Sequence, residues 1–383
     1  MQLRQRLLGE VLDFYDHMRV PLNSLERDTR QGDYRYYGAQ GVIDHIDNYI
    51  FDGQFVLVAE DGANLVTRNE PIAFLVEGQF WVNNHAHVVK GKEGVADDFY
   101  ITALLNSLNI AGFITGVAQP KLSQQNLKQI KVSIPSYEAQ RRIADILSAY
   151  DDLIENNRRR MALLEEEARH LYREWFIRRH FPGHEHIPIT NGVPEGWERK
   201  TLGDLCTDVR ETASPDQLEP DMPYIGLEHM PRRSISLSEW GRSEEVTSTK
   251  HRFRAGEILF GRIRPYFHKV GIAFVDGVAS SDAIVIRPWA EELGCMVLMA
   301  VSSDPFVAST AQSMRAGSKM PRADWKLMKQ YPIPLPPHGL LNEFNGAVRS
   351  IIQQLKILTF QNQKLRTARD LLLPRLMSGE IAV

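Results

Sequence analysis

Cysteine is scarce in this sequence. Only Cys206 and Cys295 occur among 383 residues, and there is no CxxC pair. A chain without a cysteine framework is typical of a reducing compartment, and it offers no cysteine set for a structural zinc ion. Residues 1–18 lack an apolar signal core, and no apolar run approaches membrane-spanning length. We therefore expect a cytoplasmic protein.

A large net charge is missing as well. The formal net charge is −3, so the chain as a whole is not a polycation. A nucleic-acid site would then have to be a local basic patch. The 383 residues are enough for two sizeable domains, each with its own core.

The usual signatures of catalysis and phosphate binding are absent too. There is no GxxxxGK[ST], no strand–GxGxxG–helix arrangement and no GxSxG. His85 and His87 share one face of a predicted strand. No cysteine or carboxylate stands at a helpful spacing, which favours ordinary histidines over a metal pair. The sequence His184-Glu185-His186 is not HExxH. We predict no catalytic residue, no metal ligand and no cofactor bound by this chain.

What the sequence does contain is a long heptad pattern between Tyr137 and Arg178. The segment has no proline or glycine. Its apolar positions alternate in steps of four and three, which predicts a helix of roughly 60 Å that buries one narrow stripe against another helix. The positions on this stripe are Ile143, Leu147, Tyr150, Ile154, Asn157, Met161, Leu164, Ala168, Leu171 and Trp175. An ordinary long surface helix is the alternative.

A second heptad pattern predicts a helix from Gly339 to Leu373 that ends near Pro374. Its stripe consists of Phe344, Val348, Ile351, Leu355, Leu358, Asn362, Leu365, Arg369, Leu372 and Leu376. Each stripe holds one asparagine, at positions 157 and 362. A buried asparagine fixes the register and the partner of a helix pair at a cost in stability. We predict that the two helices pair with each other as an antiparallel coiled coil.

The segments outside these helices predict two mixed domains of the α/β (α+β) class. In the first, β-rich runs occupy Gln54–Glu60, Ile72–Val76 and His87–Lys90, and a helix is predicted at Asp97–Leu108. In the second, the runs are Glu257–Phe260, Val270–Val275 and Ala283–Arg287. The predicted boundaries are a first domain at 1–135, a long helix at 136–180, a linker at 181–197, a second domain at 198–330, and a Pro-rich connector with the second helix at 331–383.

The two halves resemble each other at an offset near two hundred residues. Five short matches occur in the same order: Leu8–Val11 with Leu202–Leu205, Asn83–Ala86 with Ser280–Ala283, Lys121–Ser123 with Lys319–Pro321, Ile134–Pro135 with Ile333–Pro334, and Ala168–Leu171 with Ala368–Leu371. Their shared order predicts an internal duplication and two pseudo-symmetric domains. Duplex DNA suits such a plan, because two modules can meet one groove a helical turn apart.

Three segments resemble the specificity (S) subunits of type I restriction-modification systems. They are ILSAYDDLIENNRRRMALLEEEARHLYREWF at 146–176, VPEGWERKTLGDL at 193–205 and DLLLPRLMSGE at 370–380. The resemblance covers essentially the whole chain. It implies two target recognition domains, each reading half of a split DNA site, and helices that act as a ruler. The chain departs from the family before Leu8, where it lacks the PxGW element present at Pro194–Trp197.

The resemblance also implies partners. The helices would dock methyltransferase (M) subunits that carry S-adenosylmethionine. Restriction (R) subunits that use ATP and Mg²⁺ would join the same complex. The chain itself would catalyse nothing. Two alternatives remain. One is a coiled-coil scaffold with two protein-interaction domains, and the other is an enzyme with an unrecognised site, for instance a nuclease.

The second domain has the clearer basic patch for DNA. Arginine suits bidentate contacts with guanine, and lysine and arginine contact phosphates. The loop at 261–271, GRIRPYFHKVG, is the best candidate for base reading; a solvated charged loop is the alternative. The predicted DNA-binding residues are Arg232, Arg233, Arg262, Arg264, Tyr266, His268, Lys269, Arg315, Lys319 and Arg322.

The first domain is less basic. Asparagine could read the N6/N7 edge of adenine. The loops at Thr115–Ser123 and Arg315–Arg322 precede short helices and could present backbone N–H groups to a phosphate, although a plain turn explains them equally well. The predicted DNA-binding residues are Arg35, Asn64, Arg68, Asn84, His85, Lys90, Lys92 and Lys121.

Overall fold

A computed structural model describes residues 2–116, 118–190, 192–312 and 320–383. The predicted DNA-binding residues Arg315 and Lys319 lie outside these residues. The chain forms two compact units. The first unit contains residues 1–154 and 364–383, and the second contains residues 155–363.

The first unit holds a domain of short strands and helices. Its strands are β1 (Arg4–Leu7), β2 (Leu12–Phe14), β3 (Gln31–Gly38), β4 (Gly41–Ile46), β5 (Phe51–Asp52), β6 (Phe55–Ala59), β7 (Ala73–Val76), β8 (Gln79–Val82), β9 (Ala86–Gly91) and β10 (Lys131–Ile134). Its helices are α1 (Leu8–Val11), α2 (Ser24–Asp28), α3 (Asn64–Thr67), α4 (Asp98–Ser107), α5 (Gln124–Gln129) and the first part of α6 (Tyr137–Tyr172).

Two four-stranded sheets and one two-stranded ladder build this domain. The sheets have the orders β2-β9-β6-β7 and β4-β3-β8-β5, and β1 pairs with β10. Every residue of β6 is buried, so this apolar run lies at the centre of the core. Tyr100 and Ile101 of α4 are fully buried in the same cluster as Val56 and Val58 of β6. The strands around β6 and β9 agree with the predicted β-rich runs to within one or two residues.

The second unit repeats this plan. Its strands are β11 (Ile189–Thr190), β12 (Val193–Pro194), β13 (Glu198–Thr201), β14 (Cys206–Val209), β15 (Thr212–Ala213), β16 (Pro223–Ile225), β17 (Ser236–Leu237), β18 (Gly241–Arg242), β19 (Lys250–Phe253), β20 (Ile258–Gly261), β21 (Val270–Ala273), β22 (Gly277–Ala279), β23 (Ala283–Pro288) and β24 (Pro332–Leu335). Its helices are α7 (Leu202–Leu205), α8 (Gly294–Val301), α9 (Asp304–Gln312), α10 (Trp325–Met328) and most of α11 (His338–Met377).

The sheets of the two domains correspond, although the second domain has five strands in each large sheet and the first has four. The order β14-β23-β20-β21 matches β2-β9-β6-β7, and the pair β13–β24 matches β1–β10. The prediction of two pseudo-symmetric α/β (α+β) domains is confirmed. The missing PxGW element does not remove the first strand, because β1 pairs with β10 antiparallel as β13 pairs with β24.

The structure shifts two of the five matches read from the sequence. Lys121 corresponds to Arg322 and Ile134 to Leu335, both at an offset of 201 residues. Backbone pairing sets these registers. Lys121 bridges to Asp61 as Arg322 bridges to Ile263, and Ile134 pairs with Arg4 as Leu335 pairs with Glu198. The sequence alone matched Lys121 to Lys319 because both are lysines.

Parts of the two long helices pack antiparallel within each unit. In the second unit, Asn157 faces Asn362, and the ring of Trp175 lies 5.7 Å from that of Phe344. In the first unit, Asp151 pairs with Arg369, and Ile143 shares a core with Leu376. Residue numbers rise along one helix as they fall along the other, which confirms the predicted antiparallel pairing.

The predicted extent of the first long helix is confirmed, whereas the predicted end of the second is wrong. Helix α6 continues from Tyr172 into a π-helical turn at Arg173–Arg178, which ends at Arg179 in a left-handed conformation (φ 64°). Helix α11 does not end at Pro374 but continues to Met377. A proline removes one backbone hydrogen bond from a helix. Burial of Leu376 and Met377 in the first unit's core offsets this loss, since their exposed fractions are 1% and 8%.

Among the described residues, no single helix is long and apolar enough to cross a membrane. The bent pair Glu291–Val301 and Asp304–Gln312 meets the criteria of length and composition only when its two parts are joined. The apolar side chains of α8, which is part of this pair, are buried in the second unit's core.

Candidate nucleic-acid interface

Three segments of the first domain converge at one end of β6 and β9. We call residues 60–62, 83–85 and 120–122 the first loop cluster. The amide of Glu60 donates to the carbonyl of His85 (2.9 Å), and the amide of Gly62 donates to that of Pro120 (3.1 Å). The amide of Leu122 donates to the carbonyl of Glu60 (2.8 Å). These bonds fix the three turns against each other.

The second domain contains the same arrangement. We call residues 261–264, 280–282 and 321–323 the second loop cluster. The amide of Arg262 donates to the carbonyl of Asp282 (2.7 Å), and the amide of Arg264 donates to that of Pro321 (2.9 Å). The amide of Ala323 donates to the carbonyl of Arg262 (2.8 Å). One backbone framework therefore occurs twice in the chain.

The side chains on the two frameworks differ in charge. In the first cluster, Asp61 lies 2.8 Å from the His85 ring, and Lys121 lies 3.1 Å from Glu60. In the second cluster, Arg322 lies 3.2 Å from Asp282, and Arg262 and Arg264 occupy the places of Glu60 and Gly62. The first cluster thus mixes carboxylates with His85 and Lys121, whereas the second is dominated by arginine.

The structure divides the residues predicted for the first domain. Asn84, His85 and Lys121 are exposed in the first loop cluster. Lys90 and Lys92 lie towards the opposite end of β9, where the Lys90 ammonium is 5.4 Å from the Phe55 ring centre and Lys92 donates to the carbonyl of Glu10 (3.0 Å). These two lysines do not share a surface with the cluster.

Three other residues predicted for the first domain have protein partners. Arg35 of β3 donates to the carbonyl of Glu77 (3.0 Å). Asn64 is buried, and its amide closes a turn with the backbone of Glu70 (2.9 Å). The Arg68 guanidinium donates to the carbonyl of Leu108, and burial lowers its pKa. Internal bonds thus hold both Asn64 and Arg68, and their assignment as DNA-reading side chains remains a prediction.

The second loop cluster gathers Arg262, Arg264 and Arg322. Arg232 and the exposed Tyr266 flank it, and Arg233 forms an exposed ion pair with Asp304 (2.8 Å). His268 and Lys269 point inward instead. Burial lowers the pKa of both, and they contact the carbonyls of Ser302 (2.7 Å) and Leu227 (2.5 Å) respectively. These contacts hold the loop in place, and DNA contact by His268 and Lys269 remains a prediction.

A buried ion network beneath the first loop cluster was not predicted. The His87 ring is 1% exposed; its Nδ1 lies 2.6 Å from Asp16 and its Nε2 lies 2.8 Å from the carbonyl of Leu122. Both neighbours can accept a hydrogen bond from the ring. Arg19 donates to Glu60 and to the carbonyl of Ala86 (both 2.7 Å). The network therefore ties Glu60 and Leu122 of the cluster to Ala86, which directly follows its middle segment.

Comparisons with known proteins agree with this architecture. The model of the type I restriction modification DNA specificity domain matches residues 4–166. A Haemophilus influenzae type I restriction enzyme specificity subunit is 39% identical over 37% of this chain and 36% of its own length. The first of these relatives is therefore matched over about a third of its length.

Other matches extend over most of the chain. The MjaIX specificity subunit of Methanocaldococcus jannaschii is 24% identical over 84% of this chain and 78% of that relative. The crystal structure of a type I restriction-modification S subunit from M. genitalium covers 98% of this chain and 96% of its own, with a TM-score of 0.62 and 15% identity. Along most of its length this chain is therefore similar to type I restriction enzyme specificity subunits, and it shares their fold.

The side chains of His85 and His87 do not converge on a common point. His85 faces Asp61, and His87 faces Asp16. In the part of the chain that the structure describes, no group of three or more histidine, cysteine or carboxylate side chains is arranged to hold a metal ion.

Proposed function

We propose that each domain of this chain reads one half of a split, asymmetric DNA site through its loop cluster. The length of the paired helices then sets the number of base pairs between the half-sites. The helices carry M and R subunits, which supply S-adenosylmethionine, ATP and Mg²⁺, and the chain itself is not catalytic. The complex works in the cytoplasm.

The repeated loop cluster carries this proposal. A shared backbone framework with different side chains suits two readers of the same kind with different targets. Direct reading needs side chains that reach base edges, and a rigid frame keeps them in place. The arginines of the second cluster favour guanine, whereas the carboxylates and Asn84 of the first favour the amino groups of cytosine or adenine.

Lengthening both helices together tests the ruler. Seven residues added to α6 and seven to α11 keep the heptad register and lengthen each helix by about 10 Å. We expect the preferred spacer to grow by about three base pairs, because base pairs are stacked about 3.4 Å apart, while both half-sites keep their sequences. Selection from random duplexes measures the spacer.

The control places the same seven residues in the exposed turn at Gly183–His186. That insertion should leave the spacer unchanged. A spacer that is also unchanged after the paired insertion would refute the ruler.

Removing charge from the second loop cluster tests the division of labour between the domains. The double change Arg262→Gln and Arg264→Gln should relax recognition of the second half-site by about 1–3 kcal/mol for each lost base contact. The first half-site should be read as before. Binding to duplexes with single-base changes measures this. Arg242→Gln is the control. Arg242 lies on β18, outside the cluster, and pairs with Asp221. Equal losses at both half-sites would count against separate reading.

A further inference from the structure

Two arginines near the second loop cluster share one aromatic ring. The guanidinium carbons of Arg232 and Arg264 lie 4.1 and 5.8 Å from the centre of the Phe267 ring. A guanidinium on an aromatic face is held by cation–π attraction and keeps its N–H donors available at its edge. Among the residues that the structure describes, neither guanidinium has a carboxylate or carbonyl partner.

The loop that carries Phe267 has a fixed and unusual backbone. Arg264 and His268 bracket it in the left-handed conformation, with φ of 48° and 54°, and the adjoining Arg233 has φ of 57°. Non-glycine residues adopt such angles only where the surroundings impose them, often at functional sites. Here the amide of Phe267 donates to the carbonyl of Arg264 (2.8 Å), and the amide of Arg233 donates to that of His268 (2.9 Å).

The partners of the guanidinium groups distinguish these two arginines from their neighbours. Arg233 and Arg322 have carboxylate partners, and the Arg262 Nε donates to the carbonyl of Ala323 (3.2 Å). Arg232 and Arg264 rest on the ring, and no carboxylate among the described residues pairs with either, so their donors can meet a new acceptor without breaking a salt bridge. In the first domain, Gly62 occupies the place of Arg264 and offers no side-chain donor.

We propose that Phe267 is a positioning residue that presents Arg232 and Arg264 to guanine bases, so that the second half-site contains guanine. Guanine offers O6 and N7 as a pair of acceptors in the major groove, which matches the fork of a guanidinium. This inference rests on the proposed DNA recognition. It specifies the base that the second domain reads, guanine, and the side chains that read it, Arg232 and Arg264.

The test combines a base analogue with a protein variant. The chain, in complex with its methyltransferase subunit, is first used to select its site from random duplexes. 7-Deazaguanine, which lacks the N7 acceptor, then replaces each guanine of the second half-site. We expect the parent complex to bind at least one such duplex about five- to 150-fold more weakly, the loss of one bidentate contact.

The variant Phe267→Leu should bind the unmodified site more weakly, and it should show little further loss with the analogue. Phe267→Tyr keeps the aromatic face and should behave as the parent does. In every variant, unchanged affinity for single-base changes in the first half-site shows that the protein is folded. A merely structural role for Phe267 would leave the analogue effect intact in Phe267→Leu.

Two outcomes would overturn the inference and leave the proposed function standing. One is a selected second half-site without guanine, and the other is full tolerance of 7-deazaguanine by the parent. Recovery of no sequence motif at all would instead remove the proposed function itself.

Discussion

The change His87→Leu should destabilise the first domain strongly, although position 87 lies beneath the loop cluster. The leucine cannot donate to Asp16 or to the carbonyl of Leu122, which lie 2.6 and 2.8 Å from the ring. Breaking a buried ion pair by removing one partner costs about 3–5 kcal/mol, since the remaining charge stays buried. Asp16 is only 8% exposed and retains its charge.

Amide hydrogen exchange of peptides from β6 and β9 measures this effect locally. A loss of about 3 kcal/mol speeds exchange through opening by about a hundredfold or more. Peptides from β20 and β23 of the second domain should not change. The matched control is His85→Ala, two residues away. His85 is 47% exposed in its pair with Asp61, and an exposed pair contributes about 0–1 kcal/mol. Equal effects at the two positions would contradict the buried network.

The same network predicts how the first domain responds to acid. Burial alone would raise the pKa of Asp16 and of Glu60. Hydrogen bonds and charges from His87, Arg19 and, for Glu60, Lys121 outweigh burial and lower both. Because these pKa values lie below those of the unfolded chain, the stabilisation is present above about pH 4 and lost as the pH falls further. The parent should therefore lose first-domain stability more steeply below about pH 4 than His87→Leu does.

Replacing Asn157 alone with leucine should destabilise the helix pair by about 1–3 kcal/mol, because it leaves a buried amide without its partner. The Asn157 Nδ2 donates to the Asn362 Oδ1 at 2.9 Å, and the residues are only 7% and 6% exposed. The double change Asn157→Leu and Asn362→Leu removes both amides and should cost less than the two single changes added together. Unfolding of the four proteins in denaturant gives this coupling energy.

The asparagine pair should also govern which helices pair. At the offset of 201 residues, Asn157 corresponds to Leu358 and Asn362 corresponds to Met161, both buried and apolar. A helix that pairs with its own copy would therefore bury an asparagine against methionine or leucine. The double variant has no asparagine to bury against an apolar side chain. We therefore expect more of it than of the parent to form dimers in which a helix pairs with its own copy from a second chain. Light scattering after size exclusion measures the fraction of dimers. An unchanged fraction of dimers would show that the pair does not select the partner.

The long helices were predictable because a heptad stripe is a local pattern that repeats over many turns. The end of α11 was not predictable in this way. Whether α11 stops at Pro374 depends on the core that receives Leu376 and Met377, and residues far away in the sequence build that core. The strands around β6 and β9 were visible as short apolar runs for the same local reason.

The candidate site was predictable only in part. Residue type alone predicted Arg262 and Arg264 as DNA-binding residues, and the structure brings them together with Arg322. The same criterion predicted four residues that internal partners hold: Asn64, Arg68, His268 and Lys269. Sequence shows that a side chain can donate a hydrogen bond, not which acceptor it meets. The network of Asp16 and His87 joins residues 71 positions apart, and no spacing rule links them.

Selection of bound duplexes from a random library, with the chain in complex with its methyltransferase subunit, tests the account most directly. We predict two short, unrelated motifs at one fixed separation. The motif lost on changing Arg262 and Arg264 would belong to the second domain. Recovery of one continuous motif, or of no motif even at low salt where phosphate contacts are strongest, would contradict reading by two domains.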